Sequence, residues 1–172
     1  MKQIETERLI MREFDLADAE GLFELDSNPD VLKFIGIDTV KKIQESEDMI
    51  RVLQKQYAEN GIGRWAAIEK STGDFMGWSG LKLYREPINN QINIYELGYR
   101  FIPRFWGKGF ATESARAWVK YAFDELKIDK LFAVTDLEHD DSKNVLHKVG
   151  FKDVEVVKYK GEDVNWLEVI KD

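Results

Sequence analysis

Apolar positions recur along this chain at two periods, and the switches between them mark its elements. Residues 9–14 alternate and read as a first strand. Asp15 then reads as the N-cap of a helix through Leu25, with Ala17, Leu22 and Leu25 on its apolar face. Asn28-Pro29 opens a second short helical piece that Gly36 ends, and Ile43, Ile50, Leu53 and Tyr57 return at helical spacing before the Asn60-Gly61 stop. Residues 64–70 and 75–84, joined by Ser71-Thr72-Gly73-Asp74, form a β-hairpin. A loop around residues 87–90 leads to a long strand, 92–102.

The second half changes rhythm. After a glycine loop comes a helix with Ala111, Ala115, Trp118, Tyr121 and Ala122 on one side. Residues 130–135 read as a strand, 142–148 as a helix stopped by Gly150, and 151–160 with 165–170 as a hairpin around Gly161. These seven strands, helices first, hairpins in the middle and a β-α-β-α-β stretch last, predict an α+β fold. Its centre is a mixed, mostly antiparallel sheet flanked by helices, expected to form one domain over residues 1–172. No repeat or interdomain linker interrupts it.

Composition narrows the function classes. The chain of 172 residues is 44% hydrophobic and 33% charged, an ordinary globular balance. No apolar run approaches the roughly 20 residues of a membrane span. The first 14 residues lack a signal-peptide core, and there is no cysteine, so the expected location is the cytoplasm. Neither a thiol nucleophile nor a zinc-thiolate site is available, and no metal is expected. With 25 Lys and Arg against 32 Asp and Glu, the net charge is −7. That argues against a nucleic-acid partner, and it means that an anionic ligand needs a local trap.

Residues 96–113, ELGYRFIPRFWGKGFATE, supply one. An apolar strand ends at Pro103, a short loop carries Arg104, Gly107 and Gly109, and a helix begins. First-turn N–H groups lack intrahelical partners, and glycines let a phosphate approach the main chain. Two common phosphate motifs fail on spacing. The dinucleotide fingerprint requires a third glycine where Thr112 stands, and the nucleoside-triphosphate loop requires serine or threonine where Gly109 follows Lys108.

What fits is Arg-x-x-Gly-x-Gly, from Arg104 to Gly109, followed by Ala111-Thr112-Glu113. This resembles the acetyl-CoA pyrophosphate loop of the Gcn5-related N-acetyltransferase (GNAT) superfamily. Residues 4–14 (IETERLIMREF), 18–23 (DAEGLF), 65–80 (WAAIEKSTGDFMGWSG), 96–99 (ELGY) and 142–151 (SKNVLHKVGF) resemble, in order, its ribosomal-protein N-acetyltransferase branch. The resemblance implies the acyl-CoA N-acyltransferase fold and direct transfer of acetyl from acetyl-CoA to a primary amine in a ternary complex. The amine would be a protein N-terminus or a small molecule. The alternative is a CoA-binding module without transferase activity.

The resemblance also implies roles. The main chain of Phe101 and Ile102 would pair with the pantetheine amide, while the N–H groups of Gly107, Lys108, Gly109, Phe110 and Ala111, with the Thr112 hydroxyl, would bind the pyrophosphate. Arg104 and Lys108 offer charge, although Lys108 equally reads as a solvated loop lysine. Glu96, placed by alternation on the face of Ile92 and Ile94, has two readings: a proton acceptor among apolar neighbours, or a sheet-edge glutamate in water. Ser142 stands where relatives place a serine near the cofactor sulfur; it also reads as a helix cap or first-turn residue beside Asp140 and Asp141. His139 occupies the position of the family's asparagine and retains one donor toward the cofactor or a water; Asn144 reads as a cofactor contact or a solvent-facing amide. The tyrosine that some relatives use as an acid has no counterpart among Val145, Leu146 and His147, leaving Tyr84, Tyr95 and Tyr99 unranked. The five tryptophans read as core by default, while Phe105 and Trp106, next to the loop, read equally as flanking the cofactor or anchoring the loop into the sheet. The acceptor-facing segments, about residues 15–60 and 158–166, carry no legible motif, and the assembly is a monomer or homodimer.

Overall fold

A computed structural model describes residues 2–171. Eight strands form one sheet in the order β1-β2-β3-β4-β5-β6-β8-β7. Strand β1 (Gln3–Glu5) precedes β2 (Leu9–Arg12) and pairs with it antiparallel, adding one strand to the seven expected. Its three residues are too few for an alternating pattern to register. The hairpin of β3 (Arg64–Glu69) and β4 (Phe75–Tyr84) forms as expected, and β5 (Ile94–Phe101) follows. Strand β6 (Lys130–Asp136) and the terminal hairpin of β7 (Lys152–Tyr159) and β8 (Glu162–Ile170) complete the sheet.

The helices depart from the sequence pattern only locally. Asp15 caps a 3-10 turn, Leu16–Asp18, with its carboxylate accepting from Ala17 N at 2.9 Å, and α1 begins afterwards at Ala19–Asp26. Ala17 is therefore exposed, and Ala19 joins Leu22 and Leu25 in the core. The buried Asp18 carboxylate is held by both terminal nitrogens of Arg12 at 2.8 Å, so a charge leaves water with its hydrogen bonds met. Helix α2 is short (Pro29–Leu32). In α3 (Ile43–Asn60), Ile50, Leu53 and Tyr57 are buried, whereas Ile43 in its first turn is exposed. Helix α4 (Phe110–Asp124) buries Ala115, Trp118 and Ala122 completely. Trp118 meets Trp65 edge-on at 4.9 Å, an arrangement worth about 0.5–1.5 kcal/mol beyond the area it buries. Helix α5 is Asp140–Lys148.

One irregularity in the sheet positions the site. Strand β5 pairs with β4 at every position from Ile94 to Phe101, yet its parallel pairing with β6 is confined to Tyr95–Leu131 and Glu96–Phe132. Beyond Glu96 the two strands separate. On that side the edge of β5 from Gly98 to Phe101 then has main-chain groups with no strand to pair with among the described residues, and the Tyr99 hydroxyl reaches α5 across the gap.

Candidate functional site

The connection from β5 to α4 needs backbone that only glycine adopts freely: φ is +70° at Gly107 and +82° at Gly109. Gly109 is the N-cap of α4 and has no side-chain oxygen to satisfy the first turn. The N–H groups of Phe110, Ala111 and Thr112 are left for a ligand, where the helix dipole favours an anion. Glu113 would oppose that anion, but it is engaged elsewhere. Arg8 Nε reaches its carboxylate at 2.7 Å, the Arg8 main-chain N–H at 2.9 Å and the Thr6 hydroxyl at 2.6 Å. Burial pushes the Glu113 pKa up; these bonds outweigh it and hold the group below its ordinary value. Arg8 also donates to the Lys108 carbonyl at 2.9 Å and covers the Phe110 ring at 4.3 Å, bracing the loop from behind.

A cleft of about 650 Å³ runs from this loop into the gap between β5 and α5. Of the residues singled out by sequence, Phe101, Gly107, Gly109, Phe110, Ala111, Thr112, His139, Ser142 and Asn144 line it. Arg104 and Lys108 do not. Arg104 is half exposed and paired with Glu24 on α1, and it is the Lys108 carbonyl, held by Arg8, that fixes the loop. Ile102 differs from expectation for a main-chain reason. Its N–H donates to Met76 O and its carbonyl accepts from Phe105 N, both at 2.9 Å, so its N–H is not free for a ligand. Antiparallel alternation then turns the main-chain groups of Phe101 and Tyr99 toward the open edge. The Phe101 carbonyl also accepts from Trp106 Nε1 at 2.6 Å. Trp106 is not in the core: it is 49% exposed, and it lines the cleft while its N–H ties the loop to the strand, which agrees with the readings that place it beside the cofactor and as an anchor of the loop.

Ser142 is the third residue of α5, whose N-cap is His139, so its hydroxyl is not a cap. Tyr99 OH donates to the Ser142 carbonyl at 2.9 Å and lies 3.2 Å from Ser142 Oγ. Burial raises the Tyr99 pKa, so the phenol keeps its proton at neutral pH. His147, by contrast, bonds Asp153 at 3.0 Å on the surface, away from the cleft. The His139 ring stacks on Phe34 at 4.3 Å, joining α5 to the segment after α2. Burial lowers its pKa below the ordinary 6.5, against the pull of Asp141, Asp136 and Asp140.

A pH dependence follows from His139. The folded state resists a proton that the unfolded chain accepts, so this stabilisation is present above about pH 6.5 and is lost as pH falls through the depressed folded value. Melting temperatures of the wild type and His139→Asn, measured at about pH 7.5 and pH 5.5, should show the smaller acid-induced drop in the variant. Equal drops would remove His139 from the acid response.

Glu96 lies on the other face of β5, opposite Tyr99 and Ser142. It is 7% exposed, which removes the solvated-edge reading. Ile92 does not share its surroundings, because Asn93 has φ +55° and turns the chain before the strand begins. The neighbours are polar. Tyr84 OH donates to Glu96 Oε2 at 3.0 Å, and Arg64 approaches the same oxygen at 3.6 Å. Tyr84 and Tyr159 hydroxyls are 2.5 Å apart. Since Tyr84 spends its proton on Glu96, Tyr159 donates to Tyr84, making a chain from the terminal hairpin to the carboxylate. Burial and then the Glu96 charge raise the Tyr84 pKa, which keeps it a donor. Tyr84 stood among three unranked tyrosines in the sequence, whereas Tyr159 and Arg64 were not singled out at all. They come from β4, β7 and β3, and no local spacing signals their meeting.

Comparison with known proteins gives a consistent picture. Residues 8–152 match the family described as the acetyltransferase (GNAT) domain. The chain is 30% identical over 149 residues to the uncharacterized N-acetyltransferase YoaA of Bacillus subtilis, covering 87% of this chain and 82% of that protein. Its fold superposes on RimL, a ribosomal-protein alpha-N-acetyltransferase in complex with coenzyme A, with a TM-score of 0.82 at 18% identity over 99% of both chains. Spermidine N-acetyltransferase from Vibrio cholerae, in complex with CoA and spermine, gives 0.75 at 16% identity over 96% and 97%.

Proposed function

Given that the chain belongs to the GNAT acetyltransferase family, we propose that it transfers the acetyl group of acetyl-CoA directly to a primary amine in a ternary complex. It is an acyltransferase. The observation that carries the reading is the glycine-capped first turn of α4 beside an unpaired strand edge. The first binds a diphosphate through main-chain N–H groups, and the second accepts an amide as an added strand would. RimL and spermidine N-acetyltransferase, which share the fold, were each solved with CoA.

The open edge of β5 and its two faces have separate tasks. Tyr99 and Phe101 present main-chain groups to the pantetheine amide, and Gly107 to Thr112 hold the pyrophosphate. On the opposite face, Glu96 takes the amine proton, directly or through one water, as the nitrogen attacks the thioester carbon. Tyr84 fixes the orientation of that carboxylate, and Tyr159 continues the hydrogen-bond chain toward solvent. As the carbon–sulfur bond breaks, the Ser142 hydroxyl, beside the Tyr99 hydroxyl, gives its proton to the departing thiolate and regains one from solvent, while the proton on Glu96 is released to solvent. With no cysteine in the chain, the acetyl group passes to the amine without a cysteine-bound intermediate.

Thermal denaturation with acetyl-CoA, CoA and ATP tests the binding half of this reading. Acetyl-CoA and CoA at about 100 times their dissociation constants should stabilise the fold by about 2.7 kcal/mol, and ATP should do little. No shift with acetyl-CoA would sink the assignment.

A further inference from the structure

The acceptor face of the sheet carries charge that the transfer chemistry does not use. Lys82 and Glu96 are directly opposite in the β4–β5 register, as are Trp78 and Arg100. Gly98 lies between Glu96 and Arg100 on β5. A Cβ there would stand 3.2 Å from the Trp78 ring, so its absence lets the indole lie against the strand. Two guanidiniums cover that ring: Arg64 from β3 at 4.5 Å and Arg100 at 5.1 Å.

Neither guanidinium is fully matched. Arg100 gives one terminal nitrogen to Asp26 at 2.6 Å, while its Nε is buried with no partner among the described residues. Arg100 is 12% exposed and lines the cleft. One monodentate carboxylate compensates a buried guanidinium incompletely, and burial lowers the Arg100 pKa despite Asp26. Arg64 is 3.6 Å from Glu96, beyond good hydrogen-bond distance. Around Trp78, then, Arg64, Lys82 and Arg100 face Glu96 and Asp26 as the sole carboxylates among the described residues, and Lys160 adds a further cation beside Lys82. A polycation gains nothing from such a surface. A carboxylate does, because a guanidinium presents parallel N–H donors that match its two oxygens.

We propose that the acceptor amine carries a carboxylate, held between Arg64 and Arg100 across Trp78, so that its amino group faces Glu96. The acceptor is an amino acid or a similarly zwitterionic small amine. This rests on the acetyltransferase reading above and narrows its substrate.

The test measures CoA release from acetyl-CoA with amino acids, their methyl esters, spermidine and an uncharged peptide amide. Carboxylate-bearing amines should exceed their own methyl esters by about tenfold or more in kcat/KM, the range expected for a hydrogen bond to a charged group. Arg100→Gln and, on the more exposed side, Arg64→Gln should each pull that ratio toward one, chiefly by raising KM for the acid. An ester used as well as its acid, spermidine as the preferred acceptor, or a ratio that survives both substitutions would overturn the inference while leaving amine acetylation standing. CoA release with none of these amines, in a protein that binds acetyl-CoA, would instead remove the transferase reading and this inference with it.

Discussion

Glu96→Gln should lower kcat by about 10²–10³-fold near neutral pH while acetyl-CoA affinity stays within about twofold of wild type. The substitution keeps the shape of the side chain and its acceptor for Tyr84, and it removes the carboxylate that takes the amine proton. Binding should survive because Glu96 lies outside the cleft that holds the glycine loop and on the face of β5 opposite Tyr99 and Ser142. The rate loss should be largest at lower pH, where the amine is mostly protonated, and should shrink as alkaline solution deprotonates the amine. Steady-state kinetics across pH, with acetyl-CoA titrated calorimetrically, separates the two effects. A variant within about threefold of wild type at every pH would reject Glu96 as the acceptor of the proton.

Gly77→Ala should destabilise the fold by about 3 kcal/mol or more. Gly77 has φ +146°, which L side chains rarely adopt, and a Cβ would stand 2.0 Å from the Arg100 carbonyl oxygen and 2.8 Å from Phe101 Cα. Neither neighbour is a flexible side chain that can swing away. The position lies at the β3–β4 irregularity, where Ala67 faces Gly77 but Ile68 faces Phe75, and Gly77 is paired with Phe101 on the other side. Alanine would force β4 and β5 apart where Phe101 is presented to the cleft, and acetyl-CoA affinity should fall with stability. Urea unfolding measures the first and calorimetry the second. A midpoint equal to wild type would mean that the strands can yield, contrary to their packing.

These two positions show why parts of the molecule were legible in advance and parts were not. The loop from Arg104 to Thr112 is a local device: glycines, a strand end and a helix start lie within a few residues, and each has its own sequence signal. The hairpin at Ser71-Thr72-Gly73-Asp74 and the stop at Asn60-Gly61 were readable for the same reason. Gly77 carries no such signal, since its conformation is imposed by the approach of Arg100 from another strand. The surroundings of Glu96 are likewise assembled from distant segments, with Arg64 on β3, Tyr84 on β4 and Tyr159 on β7. Alternation along β5 found the carboxylate and its face, but it assigned Ile92 as a neighbour because the turn at Asn93 is invisible to a period of two.

Charge shows the same division. Arg104 and Lys108 lie within the loop in sequence, yet Arg104 is paired with Glu24, and Arg8, about 100 residues away, braces the loop. The orphan Nε of Arg100 is also a tertiary fact. It follows from the alternation that turns Arg100 toward α1, where a single Asp26 oxygen meets it.

The most direct measurement of the central claim is mass spectrometry of a primary amine incubated with acetyl-CoA and this protein, with free CoA followed in parallel. Acetylated amine and CoA should accumulate in equal amounts and should both fall steeply with Glu96→Gln. Acetyl-CoA that binds but is never consumed beyond its spontaneous hydrolysis, with every amine unmodified, would contradict the account.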